Sequence, residues 1–189
     1  MRRRWILLIT AVLVADVVIV IGWWRNWRER RYDSFIVAAA RRYGVDPALV
    51  KAVVWRESSF HADARGKAGE LGLMQIREPA AREWAEAERL TGFAHSQFAH
   101  PAPNTLAGTW YLSKLLKRYP RTDNPVAYAL ADYNAGRANV LKWMNGPAST
   151  NSAAFLNNMT FPGTRRYVVT VLDRRDHYRA QFPKMPASE

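Results

Sequence analysis

Three patterns of apolar and polar residues divide the 189-residue chain. The first is an almost unbroken apolar run, WILLITAVLVADVVIVIGWW, at residues 5–24. As a helix it would rise about 30 Å, enough to cross the hydrocarbon layer of a bilayer. Arg2, Arg3 and Arg4 precede it, and Trp5, Trp23, Trp24 and Trp27 stand where an interfacial aromatic belt belongs. Asp16 interrupts the run. Near the midplane it costs about 2.5–3.5 kcal/mol on insertion scales unless it is protonated or turned toward another membrane helix. It is therefore a candidate contact for a membrane protein partner. A retained anchor is expected. A cleaved signal peptide is the rival, but the run is long for one and no A-x-A site ends it. The basic stretch RNWRERR at 25–31 balances the basic N-terminus, so charge does not orient the segment.

The second pattern is helical periodicity with its punctuation. Asp33 or Ser34 opens a helix that stops at Gly44. Asp46-Pro47 pairs an N-cap with proline at the first helical position and opens 47–57. Helices follow at about 79–90, 104–119, 125–136, 137–146, 152–158 and 165–182. No window alternates as a strand, and no repeat period appears. The chain therefore reads as all-α, divided into a basic-flanked anchor at 1–31 and one domain at 32–189. The third pattern is a break in this periodicity. Residues 58–73 hold Gly66, Gly69 and Gly72 and read as a loop, with room for a small irregular hairpin.

Composition narrows the chemistry. With no cysteine, disulfides, thiolate catalysis, cysteine-ligated zinc and a cysteine-linked lipid anchor are excluded. Net charge is +12, of which the first 31 residues carry only part: seven arginines against Asp16 and Glu29. Basicity spread over the whole chain suits an anionic partner or simply a soluble surface. No basic-aromatic motif supports nucleic acid. His61, His95, His100 and His177 lack H-E-x-x-H spacing, so no metal or other cofactor is expected and these residues read as surface or cap groups.

Glu57 is the position that asks for an explanation. Leu49, Val53 and Glu57 are successive i, i+4 positions, so the carboxyl continues an apolar stripe. Desolvation raises a carboxyl pKa, and a carboxylic acid still protonated near neutrality can act as a general acid. A frayed last turn, or an ion pair with a nearby arginine, would explain the position equally well. Beyond it, the glycines allow close backbone approach to a ligand. Met74 can line an irregular cleft, and the Gln75 amide can donate to and accept from sugar hydroxyls or N-acetyl groups. Leu73 and Ile76 read as core.

The stretch ESSFHADARGKAGELGLMQI resembles the signature of the lytic transglycosylases of the soluble-lytic-transglycosylase type, which share the lysozyme-like fold. Glu57-Ser58-Ser59-Phe60 and Gly72-Leu73-Met74-Gln75 match it in order and spacing. Two further elements follow in family order. Tyr133-Asn134-Ala135-Gly136 matches its Tyr-Asn-Ala-Gly motif, and TRRYVVTVL at 164–172 matches its Thr-Arg-x-Tyr-Val pattern at Tyr167. The resemblance covers about 33–182. Ala62, Gly66, Glu70 and Asp132 depart from it: the family often has proline, serine, alanine and alanine there. Glu70 and Asp132 add negative charge near the cleft and are either solvated acids, further causes of a raised Glu57 pKa, or a second carboxylate.

The resemblance implies cleavage of the β-1,4 bond between N-acetylmuramic acid and N-acetylglucosamine in peptidoglycan. The muramyl C6 hydroxyl attacks its own anomeric carbon and leaves a 1,6-anhydro end. It implies Glu57 as single general acid and base, Ser58 and Tyr167 as supporting groups, and Met74, Gln75, Tyr133 and Asn134 along the sugar groove. It also implies a bacterial inner-membrane protein whose domain faces the periplasm or cell-wall space, an orientation drawn from the substrate. A lysozyme-type hydrolase using Glu70 or Asp132 to direct water is one alternative. A non-catalytic peptidoglycan-binding scaffold is another.

Overall fold

Prolines in first turns open five of the nine α-helices in the computed structural model, which describes residues 2–182, and capping residues set a few of the remaining ends. Helix α1 spans Arg2–Arg30, α2 Asp33–Tyr43, α3 Pro47–Ser58, α4 Glu78–Ala87, α5 Pro101–Leu116, α6 Pro125–Ala135, α7 Arg137–Trp143, α8 Ser152–Asn158 and α9 Pro162–Arg179. Gly44 ends α2 in the left-handed region at φ 65° and donates its N–H to the Ala40 carbonyl. Asp46 then accepts from the Ala48 N–H at 2.8 Å and starts α3. Asn151 caps α8 in the same way through Ala154.

Helices α5 and α9 begin about three residues before the expected starts. Pro101, Pro103 and Pro162 lie inside first turns, where proline costs no hydrogen bond. Helix α4 stops early because Arg89 adopts φ 56°. Two 3₁₀ turns, His95–Ala99 and Gly146–Ser149, were not foreseen. The expected hairpin in the glycine loop reduces to isolated bridges of Leu71 with Arg65 and with Ile76.

Helix α3 is the axis of the domain, packed against α9 and α2, while α6 packs on both α5 and α9. The buried surface of α3 is wider than the expected stripe: every residue from Pro47 to Val54 is buried, so this part of the helix is enclosed on all sides. Full burial of each such Val or Leu contributes about 1.5–3 kcal/mol. Lys51 is enclosed with them. Its ammonium pairs with Asp33 at 2.7 Å and donates to Gln181 at 2.9 Å. Tyr128 of α6 stacks on Phe155 of α8 at 4.0 Å and joins the two helices.

Helix α1 exposes its apolar residues along its whole described length, and it is long and apolar enough to cross a membrane. Only Arg31 and Tyr32 separate it from α2, and Tyr32 is buried in the domain core.

Candidate active site

Helix α3 ends at Ser58, with Ser59 and Phe60 both left-handed at φ 50° and 65°. This tight exit leaves Glu57 on the last turn, facing a groove. Glu70, Gln75, Arg77, Tyr111, Tyr133 and Asn134 are among its other lining residues, and its volume is about 590 Å³. Burial raises the Glu57 pKa from 4.5 to about 7, and the Glu70 charge adds slightly to that. The Tyr167 hydroxyl and the Arg56 guanidinium pull the other way, without cancelling it. The carboxyl is therefore about half protonated at neutral pH.

Tyr167 is buried and donates its hydroxyl to Glu57 Oε1 at 2.6 Å. Burial first, then the charge of Glu57, holds its own pKa well above the usual tyrosine value, so it is a permanent donor. Arg56 lies 5.3 Å from the centre of the Tyr167 ring. Tyr133, its ring against Tyr111, donates to the Met74 carbonyl at 2.8 Å, which ties α6 to the glycine loop across the groove.

The loop is built on Asn104, which sequence reading treated only as a helix start. Asn104 is fully buried. Its Oδ1 accepts from the Met74 N–H at 2.8 Å, and its Nδ2 donates to the Leu71 and Phe98 carbonyls at 2.7 Å each. Gly72, at φ 74°, lies so close that a Cβ there would overlap the Asn104 amide and the Phe98 carbonyl. Gln75 is left-handed too, at φ 47°. Its Nε2 donates to the Ala64 and Gly72 carbonyls, which spends both amide hydrogens inside the loop. The carbonyl oxygen is the polar group it can offer the groove.

Two expected site residues stand elsewhere. The Met74 side chain is fully buried against Gly108, where a Cβ would overlap its sulfur, so it supports the loop from within and does not wall the groove. The Ser58 hydroxyl lies 2.8 Å from the Leu73 carbonyl and 3.1 Å from that of Val54. It braces the helix end to the loop rather than bonding Glu57. Asn134 is exposed at the groove and accepts from Thr164 at 2.8 Å, which joins the start of α9 to the end of α6. Tyr111 and Arg77 line the groove without having been singled out. Tyr111 was hidden among the apolar residues of α5, and a lone arginine in a loop carries no signal.

The two extra acids part company. Asp132 is buried, bonded by Arg118 at 3.0 Å and by the Tyr119 hydroxyl at 2.6 Å, so its charge is already answered. Glu70 lines the groove and is more open: it accepts from the Ala68 N–H at 2.9 Å and lies 3.9 Å from Arg77.

Residues 34–156 match the transglycosylase SLT domain. The chain is 31% identical to the membrane-bound lytic murein transglycosylase C of Shigella sonnei, over 80% of this chain and 47% of that protein. It thus spans about half the length of that curated relative. Among solved structures it resembles an inactive mutant of the lytic transglycosylase Slt from Pseudomonas aeruginosa, with a TM-score of 0.71 and 26% identity over 78% of this chain and 24% of that one. The 70 kDa soluble lytic transglycosylase of Escherichia coli matches with a TM-score of 0.65 and 26% identity over 82% and 24% of the two chains.

Proposed function

The chain belongs to the transglycosylase SLT domain family, and from that premise we propose that it is a peptidoglycan lytic transglycosylase with Glu57 as its single acid and base. The observation that carries this reading is a carboxyl raised to about 7 by burial, at the edge of a groove, with a buried tyrosine aimed at it.

Protonated Glu57 gives its proton to the glycosidic oxygen, the bond from that oxygen to the muramyl anomeric carbon breaks, and N-acetylglucosamine leaves with a free 4-hydroxyl. The muramyl C6 oxygen then bonds to the anomeric carbon, and its proton returns to the Glu57 carboxylate. No water is consumed. An internal nucleophile already has a high effective molarity, so no second carboxylate is needed to place one. Tyr167 holds the carboxylate oriented while it is charged. Gln75, Tyr133 and Asn134 contact the sugars, whereas Ser58 and Met74 act through the loop they support.

Residues 1–31 serve as the anchor and 32–189 as the catalytic unit. The anchor passes once through the inner membrane and leaves the groove on the periplasmic, wall-facing side. Asp16, exposed on α1, is the contact for a membrane protein partner. Loss of a co-purifying protein in Asp16→Leu supports that contact, and an unchanged preparation removes it. Glu70, open to the groove, favours one second reading, a hydrolase that directs water. Glu70→Gln decides between them: undiminished formation of anhydro ends upholds the transglycosylase, and loss of a reducing-end product upholds the hydrolase.

A further inference from the structure

The join between the apolar helix and the domain holds no slack. The last turn of α1 lies on the domain: Arg28 Nη1 is 3.2 Å from His61 Nε2, and the Tyr178 hydroxyl donates to Glu29 at 3.3 Å. One residue pair later the chain is buried. Tyr32 enters the core, and Asp33 holds the ammonium of Lys51, which sits over the rings of Tyr178 and Phe182 at 5.0 and 5.4 Å. These contacts form a clasp around residues 28–33.

The clasp reaches the groove by a short path. The His61 ring that meets Arg28 lies 2.8 Å through Nδ1 from the Ser58 carbonyl, and Ser58 follows Glu57. Summed along ordinary covalent dimensions, that path places Glu57 within about 20 Å of the Arg28 backbone. Arg28 is one helical turn, about 6 Å, beyond Trp24 at the end of the apolar run. A flexible linker of ten residues could by itself lift a domain about 33 Å. Here the reach is fixed instead.

We propose that this chain acts on glycan held at the membrane surface, within about 25 Å of the bilayer, and specifically on strands tethered there by their own lipid. The proposal rests on the transglycosylase reading and adds where that reaction takes place. A wall layer standing farther off is beyond the groove unless the bilayer itself approaches it.

The test uses the full chain reconstituted in vesicles. One substrate is a lipid-linked peptidoglycan oligosaccharide in the same bilayer, too short to rise above about 25 Å. The other is the same oligosaccharide without lipid. A second protein carries a twenty-residue EAAAK-type helical insert between Arg31 and Tyr32, which raises the domain by about 30 Å. The expected result is cleavage of both substrates by the native chain. The raised chain should cleave the soluble substrate at the native rate and the lipid-linked one at least tenfold more slowly. Native protein that cuts only the soluble substrate overturns the proposal, as does a raised chain that cuts the lipid-linked one equally well. If the insert abolishes both activities, the native chain decides alone, by whether it cuts the lipid-linked substrate. Native protein that cuts neither substrate overturns the transglycosylase reading itself.

Discussion

Glu57 is asked to be neutral before the reaction and charged during it, and its neighbours divide that work. Burial supplies the neutrality, while the Tyr167 hydroxyl limits the cost of the charge. The pH dependence follows. The rate should fall about tenfold per pH unit above about pH 7, as the carboxyl loses the proton it must give. Tyr167→Phe removes the bond that lowers the Glu57 pKa, so the falling limb should move to higher pH while the maximum rate drops about 10–100-fold. Glu57→Gln should lose about 10²–10⁴ of the rate and yet gain stability. Below pH 4.5, folded and unfolded chains both hold this proton and the contribution is nil. Between 4.5 and about 7 the unfolded chain releases it and the folded chain does not, so stability falls as pH rises. The full penalty, about 3 kcal/mol, applies above that window. Melting of Glu57→Gln should therefore rise by several degrees near pH 8 and hardly at all near pH 4. Position Glu57 was legible in the sequence as a carboxyl at the end of an apolar helix. The role of Ser58 was not, because a hydroxyl bonds whatever carbonyl folding brings to it.

At the scale of elements, the glycine loop depends on α5. Asn104 gathers Met74, Leu71 and Phe98, and Gly72 leaves room for it. Asn104→Ala strands two buried polar groups, the Met74 N–H and the Phe98 carbonyl, while the Leu71 carbonyl keeps the Ile76 N–H, and should cost about 2 kcal/mol or more in denaturant unfolding. Gly72→Ala meets both a left-handed backbone and a side chain in the way, and should cost about 2–4 kcal/mol. Either change should lower activity through Gln75, whose strained backbone the loop sustains. Helix identities were readable because caps and prolines act locally. Asn104 was not readable as an organiser, since its three partners lie 6 to 33 residues away along the chain. Met74 misled for a related reason. A methionine beside a predicted cleft suggests a wall, and only Gly108, opened opposite it on α5, shows that it points inward.

For the whole molecule, the sequence announced an apolar segment and a helical domain but not the contacts that join them. Nothing in RNWRERR signals that Arg28 and Glu29 lie against His61 and Tyr178, which are 33 and 149 residues away. Basic residues flank membrane segments for many reasons, so that pattern is mute about docking. Asp132 is a similar case: as a departure from the family pattern it read as a solvated acid, a further cause of a raised Glu57 pKa or a second carboxylate, and its burial against Arg118 and Tyr119 makes it part of the scaffold. Asp132→Asn should thus leave the product unchanged and lower stability by about 1–3 kcal/mol in thermal unfolding.

Mass spectrometry of glycan ends released from purified sacculi in heavy-oxygen water tests the central claim most directly. The account predicts muramyl ends lighter by one water than reducing ends, free of solvent oxygen, and missing when Glu57→Gln is used. Reducing ends that carry the heavy oxygen, or unchanged anhydro ends from Glu57→Gln, would contradict it.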